Sequence, residues 1–388
     1  MNVLSFSSCF PSGAAPTEGI FVFDRLSAVA ERAGVTVVHP VASCPLIGPV
    51  GQRRPSQGRE QIGNLAVHHR RYSYLPGLLK RFDGYFYCRG LRRWAADWCR
   101  RNAPDLLDAH FVWPDGVGVS LIARRLRLPY VVTLRGTINP RWRLACFRGR
   151  IADALRRAAA VISVSGQMAE IAVALGVEPA SVHVIPNGVD GRAFHVADKA
   201  AARRRLGLPE DRPVLVCVAA LKRPKGQEDL IRALQAVRDR PLLVLVGAPA
   251  DGTGCAGRLE ALARRCGLDG QVRLAGAVGR KSVADYYNAA DASVLPSRAE
   301  GCPNVVLESL ACGTPVVATG VGAVLDLLRS EAAGLIVTPG DTAALARAIT
   351  EALHRRWSRA AIRSAVEHRT WQAVADEVLE VFRRAAGS

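Results

Sequence analysis

The stretch "SRAEGCPNVVLESLACGTPVVAT", residues 297–319, decides how the chain is read. It follows the short apolar run "DASVLP" and sets Glu300 and Glu308 eight residues apart. Pro303 suits the first turn of a helix and Gly313 its C-terminal end. Glu308 then falls in the second helical turn, about 7 Å along the axis at 1.5 Å per residue, with Glu300 on the loop before it. The loop and first turn, Gly301, Cys302, Pro303, Asn304 and Val305, present backbone N–H groups where a helix begins, which favours an anion. A carboxylate accepts two hydrogen bonds from neighbouring hydroxyls, so a ribose diol or a hexose suits either acid. Acids near a helix start also complement its dipole, by about 0.3–1 kcal/mol each, and that alone accounts for Glu300. It does not account for Glu308, which sits among Val305, Val306, Leu307 and Leu310, where an unpaired acid is costly.

Working outward, short β-branched runs alternate with amphipathic segments: "VTVV", "DLLDAHF", "PYVVTL" and "AVISV", then "PVLVCVAA", "PLLVLVG", "VRLAG", "DASVLP" and "PVVAT". This rhythm builds parallel sheets with helices on both faces. It breaks at "SVHVIPNGVDGRAFHVADKAA" (181–201), a turn-rich connection. The expected division is 1–187, 188–366 and a terminal helical segment 367–388. Within the last, Trp371, Val374, Val378, Val381 and Phe382 recur at helical spacing. Two such sheets in tandem are expected to turn the carboxyl ends of their strands toward one cleft.

Bulk properties agree with this architecture. A chain of 388 residues predicts two or three domains, and 49% hydrophobic against 22% charged residues is the balance of a globular protein, not a disordered one. The net charge of +18 splits as 24 − 13 = +11 up to residue 190 and 28 − 21 = +7 beyond it. Such a field attracts phosphates of any kind and does not choose among them. Ten cysteines without a Cys-x-x-Cys pair read as reduced thiols of a cytoplasmic protein. No export signal and no membrane span are expected.

The acidic stretch resembles the signature of the retaining glycosyltransferases of family 4, which have the GT-B fold: a Glu, seven residues, a second Glu and text like "SLACGTPVVAT". The resemblance extends to "IPNGVD" (185–190), "KRPKGQEDLI" (222–231), "LVG" (245–247) and the terminal Trp-bearing helix. It implies an α/β fold of two Rossmann-like domains, with the last helix crossing back onto the first. It further implies that Glu308 grips the ribose of a nucleotide-sugar donor, that Glu300 lies near the transferred sugar and that Lys225 contacts the donor diphosphate. A cation there favours the departing diphosphate as its charge develops. The family's arginine five residues before that lysine is replaced by Ala220, for which Lys222 or Arg223 are candidate substitutes. Its implied acceptor is a glycan or a lipid-linked molecule, with a weaker likeness to enzymes of bacterial surface polysaccharides through "PDG" followed by "TLRG".

In the first half, "SSCFPSGAAPTEGIFVFDRLSAVAERAG" reads as strand, loop and helix, and Gly19 is where the family brings backbone to the donor phosphates; a turn alone also requires a glycine. His110 ends the strand "DLLDAHF" as a candidate catalytic histidine or a packed one. Arg135 stands where many relatives carry a histidine, and suits a phosphate or carboxylate. The window 53–101 holds twelve Lys or Arg with interleaved Tyr72, Tyr74, Phe82, Tyr85, Phe86, Tyr87, Trp94 and Trp98. That mixture suits either peripheral contact with an anionic membrane or a solvated face over a core.

There is no Asp-x-Asp and no His/Cys cluster at ligand spacing, so neither a metal nor another cofactor is expected. "GAVGRKS" (276–282) lacks the glycine directly before the lysine of a phosphate-binding loop. Nucleic-acid binding rests on charge alone and is not expected. A nucleotide-sugar epimerase and a non-catalytic sugar-nucleotide-binding protein are the competing readings.

Overall fold

The computed structural model describes residues 1–44, 48–49, 55–74, 79–136, 142–249 and 254–387. They form two compact units, Met1–Asn187 with Trp371–Ser388, and Gly188–Thr370. Residues 367–370, read from sequence as part of the terminal segment, stay with the second unit. There the Val189 N–H donates to the Arg369 carbonyl at 2.8 Å.

In the first unit, strands β1 (Asn2–Ser7), β2 (Gly34–Cys44), β3 (Gly48–Pro49), β4 (Gly58–Ile62), β5 (Leu65–Ser73), β6 (Leu106–His110), β7 (Tyr130–Leu134), β8 (Ala160–Ser163) and β9 (Val182–Val184) form one sheet. Its order is β4-β5-β2-β1-β6-β7-β8-β9, with β3 on β2. Only β3 and β4 run antiparallel to their neighbours among the described strands. The central strands are rich in apolar residues because helices cover both faces; β6 and β7 are buried throughout, including Asp108 and His110 of β6. Helix α1 (Ile20–Val29) buries Val22, Leu26 and Val29. The terminal helix Trp371–Ala386 lays Trp371, Val374, Val378 and Phe382 into a core shared with Val3, Val29, Leu106 and Val131. Each such side chain contributes about 1.5–3 kcal/mol of burial, which is why this distant segment belongs to the first unit.

The basic window resolves into β4, β5 and α2 (Asp83–Asn102). Its aromatics divide. Tyr72 and Tyr87 are core residues, Tyr85 is 54% exposed, and Trp94 and Trp98 are half-buried. Arg89, Arg92, Arg93, Arg100 and Arg101 are exposed along α2. Arg53 and Arg54 lie outside the described residues. No described helix is long and apolar enough to cross a membrane.

The second unit carries β10 (Val214–Val218), β11 (Leu242–Val246), β12 (Val272–Gly276), β13 (Ala292–Leu295), β14 (Val316–Thr319) and β15 (Gly334–Val337), in the order β12-β11-β10-β13-β14-β15. Every pairing is parallel. The order jumps between β10 and β13, so the loops leaving those two strands emerge side by side at their carboxyl ends. Such a switch point is where ligands of these sheets bind.

One buried acid of the first unit couples folding to pH. Asp115 lies between β6 and α3 (Val117–Leu126) and is fully buried. Its carboxyl accepts from the Ser8 hydroxyl at 2.6 Å and the Tyr87 hydroxyl at 3.0 Å. Burial pushes it up to about 7, against the pull of those hydroxyls. A raised folded pKa gives stability that is complete below the unfolded value, near 3.8, and lost as pH rises through about 7. The loss is about 4 kcal/mol at most. Asp115→Asn removes this dependence, so urea midpoints of variant and wild type should shift relative to each other in the variant's favour as pH rises from about 4 to about 7. Parallel curves across that range would show that Asp115 titrates normally.

Candidate active site

The second unit gathers its charged groups at the β10/β13 switch. The loop after β10 turns through Gly226, whose φ of 71° places it where an added Cβ would lie 2.0 Å from the Pro296 carbonyl oxygen. Only glycine lets the two loops approach this closely. The approach is held by the Arg298 N–H, which donates to the Pro224 carbonyl at 2.9 Å. It is braced further by the Arg298 guanidinium, which grips both oxygens of Asp229 at 2.9–3.1 Å.

Across this joint the Lys225 ammonium donates to Glu300 Oε1 at 2.6 Å. The side chains are 21% and 10% exposed, so the pair is largely screened from water yet open on one side. Cys217 lies beneath it, its thiol pushed up to about 12, chiefly by burial. Glu300 thus has a cation to balance it, which the helix-dipole reading did not supply.

The helix Asn304–Ala311 begins after Pro303, which is its N-cap rather than a member of its first turn. Glu308 is half-buried in the second turn and accepts from the Tyr287 hydroxyl at 3.3 Å. Tyr287 is fully buried, and burial together with Glu308 holds its phenol protonated and donating. The loop Gly301–Pro303 is fixed from behind, because the Ala323 N–H donates to the Gly301 carbonyl at 2.8 Å. Cys302, Asn304 and Val305 are half-buried along its edge.

The residues proposed to replace the missing arginine behave differently. Lys222 and Arg223 are exposed, while the Ala220 carbonyl accepts from Gln227 Nε2 at 3.0 Å. Tyr287, Arg298 and Asp229 were absent from the sequence reading. Arg298 and Asp229 lie within the quoted motifs, but "SRAEG" and "GQED" give no sign that they pair across about seventy residues.

In the first unit, His110 and Arg135 are brought together. Both are buried, at 1% and 3% exposure. Arg135 Nε donates to His110 Nδ1 at 3.4 Å, its Nη1 donates to Asn187 Oδ1 at 3.2 Å, and its guanidinium lies 4.8 Å over the Phe21 ring. On the far side, His110 Nε2 stands 3.0 Å from Asp108 Oδ2. The same carboxylate oxygen accepts from the Ser5 hydroxyl at 2.6 Å. Burial holds His110 below the ordinary histidine value, outweighing the attraction of Asp108, and Arg135 adds to the lowering. A neutral imidazole accepting at Nδ1 results. Gly19 precedes α1 with φ 66°, and an added Cβ would sit 2.2 Å from the Cys9 carbonyl oxygen. The loop's own backbone therefore requires this glycine, whatever it binds.

The family model described as "Glycosyl transferases group 1" matches residues 198–369, and that described as "Glycosyltransferase Family 4" matches residues 23–192. TuaC of Bacillus subtilis, named for teichuronic acid biosynthesis, is 31% identical over 374 residues, covering 92% of this chain and 90% of that protein. A D-inositol 3-phosphate glycosyltransferase of Kineococcus radiotolerans is 38% identical over 248 residues, 58% of this chain and 57% of its own. Among solved structures, sucrose-phosphate synthase from Thermosynechococcus elongatus superposes with a TM-score of 0.79 at 23% identity over the full length of both chains. Anabaena HepE in complex with UDP does so with 0.75 at 19% identity over 99% of this chain and 100% of that one. The chain belongs to glycosyltransferase family 4 and has the GT-B fold.

Proposed function

We propose that this glycosyltransferase moves a sugar from a nucleotide-sugar donor to a glycan or lipid-linked acceptor with retention of configuration, in the assembly of a cell-surface polysaccharide or glycolipid. The 2.6 Å Lys225–Glu300 pair, screened from water next to the helix that carries Glu308, carries this reading. In it Glu308 accepts from the ribose hydroxyls, with Tyr287 fixing its other oxygen. Lys225 and the N–H groups about Asn304 and Val305 receive the diphosphate, joined by Arg223 from the exposed turn. Glu300 orients the sugar.

The sugar–oxygen bond breaks with its electron pair passing to the diphosphate. A diphosphate oxygen takes the proton of the incoming hydroxyl, whose oxygen bonds the anomeric carbon on the same face. Lys225 stabilises charge that grows during this step, so its contribution falls on turnover. In the first unit, the loop carrying Gly19 is assigned to donor phosphate and acceptor; His110 and Arg135 are buried against each other, with the Arg135 guanidinium over the Phe21 ring of α1. The donor class is supported by the complex of HepE with UDP-glucose, and the polymer role by the name of TuaC.

UDP-glucose serves as the first probe. It should raise the melting temperature of the wild type by mass action, and Glu308→Gln should abolish the rise; an unchanged rise removes Glu308 from the site. With a donor that binds, Lys225→Met should lower kcat by about a hundredfold or more while KM changes little. A loss confined to KM would make Lys225 a binding residue only. The product's anomeric configuration, read by proton NMR, decides retention.

The exposed arginines of α2 support docking on an anionic membrane, each cation adding about 1 kcal/mol. Wild type should float with liposomes containing anionic lipid, and charge reversal of Arg92 and Arg93 should reduce flotation several-fold. Equal flotation of the two proteins excludes this face.

A further inference from the structure

The second unit holds a cavity of about 260 Å³ at the amino ends of β13 and β14, the opposite end of the sheet from the loops that bring Lys225 to Glu300. Asp291 and Thr314, which lead into those two strands, form part of its wall. Lys199 adds a second side, and Arg355, Trp357 and Arg359, which follow the helix Thr342–His354, add a third. The four residues of β13 separate the cavity from the carboxyl end of that strand by roughly 13 Å, at about 3.3 Å each.

Three cations and one carboxylate line this space, and the carboxylate is already engaged. Asp291 is ion-paired with Lys199, and its Oδ2 accepts from Arg203 Nη2 at 2.7 Å and from the Val214 N–H at 2.6 Å. Arg359 is half-buried and bonds no carboxylate among the described residues. Its Nη1 donates to the Ala197 carbonyl at 2.7 Å, and its Nη2 donates to Asn288 Oδ1 at 2.6 Å and to the Cys312 carbonyl at 2.9 Å, all neutral acceptors. Burial lowers its pKa, against a smaller attraction from Asp198, which is itself engaged by the Ala201 N–H. Arg355 lies 4.7 Å over the Trp357 ring, and Glu351 and Glu331 stand off its Nη1 at 3.6 and 3.7 Å with largely exposed side chains, contacts of little worth. With Asp291 set against Lys199, two guanidiniums remain, and a partly buried charge is unfavourable until an anion answers it. A phosphomonoester carries about −1.5 to −2 charges at pH 7, and its oxygens match the guanidinium fork. The volume lies below the about 300–1,000 Å³ of drug-sized ligand sites, which suits a small metabolite and not a nucleotide.

Two wall residues lead to Glu308. Arg359 holds the Cys312 carbonyl, and the Cys312 N–H closes the last turn of the helix Asn304–Ala311 on the Glu308 carbonyl at 3.1 Å. Thr314 Oγ1 donates to the Tyr287 carbonyl at 2.7 Å, and the Tyr287 hydroxyl donates to Glu308. The acid is thus steadied through its backbone and through its side chain from the cavity wall.

We propose that this cavity is a second ligand site, which takes the phosphate of a small phosphomonoester on Arg355 and Arg359, and that its occupancy stiffens the carboxyl end of the helix bearing Glu308. Any effect on transfer rests on the reading that Glu308 holds the donor; the binding and the stiffening do not.

Glycerol 3-phosphate is the probe, with glycerol as the neutral control and Lys225→Met as the background, so that the phosphate contacts assigned to the donor are weakened. Isothermal titration calorimetry should show a site that glycerol does not fill, and adding Arg355→Gln should weaken it about tenfold or more. Arg355→Lys, which keeps the charge without the fork, should lose only part of that affinity, and it decides the matter if the first variant does not fold. Amide hydrogen exchange by mass spectrometry should show protection across residues 308–314 rising several-fold with the probe, and no rise once Arg355→Gln is added. Absence of binding, or binding indifferent to both Arg355 variants, overturns the site and leaves the donor reading to its own test with UDP-glucose. Binding without the rise in protection overturns the stiffening.

Discussion

Strands β10 and β13 lie parallel and adjacent although 73 residues, 219–291, lie between Val218 at the end of one and Ala292 at the start of the other, and the charged cluster of the second unit depends on that adjacency. It sets two loops side by side, so that a lysine on one reaches a glutamate on the other at 2.6 Å. Several contacts serve the same approach. Gly226 removes the Cβ that would strike the Pro296 carbonyl, Arg298 clamps Asp229, and the Arg298 amide holds Pro224. Because these contacts are backbone or doubly hydrogen-bonded, the ion pair sits in a fixed frame.

The first unit uses buried polar groups in a different way. Its β1–α1 loop is tied at one end by Ser8 to the buried acid Asp115 and in the middle by Gly13 to Glu60. The first tie ends on a fully buried carboxyl whose pKa burial raises, so order at that end of the loop and protonation are linked. Arg135 and His110 form a third buried group, in which burial, with the cation alongside adding to it, keeps the imidazole neutral. A polar interior of this kind is costly unless satisfied, and the hydroxyls of Ser5, Ser8 and Tyr87 supply part of the compensation.

The βαβ rhythm was legible because the central strands are buried on both faces and must be apolar throughout, as "YVVTL" and "LVLV" are. The edge of the first sheet was not. In β5, "LAVHHRRYS", Leu65, Val67 and His69 turn inward on one face while Tyr72 is buried on the other against Tyr87, so the pattern reads as polar. The same pattern hid the contact of His69 with His39 of β2, and it made α2 and its neighbours look like one uniform basic surface. Glu308 was legible as an acid in an apolar helix. Its partner Tyr287 was not, since "DYYNAAD" does not show which tyrosine faces inward.

The residues by themselves determined the fold class, which depends on local periodicity, and the family, through the resemblance that its short motifs carry. The tertiary structure alone decided which charges meet. Lys225 finds Glu300, Arg298 finds Asp229, and His39 finds His69 only once parallel strands of distant sequence are in register. A contact between side chains tens of residues apart is fixed by strand order and by which way each side chain points. Neither is written in any short stretch of the chain.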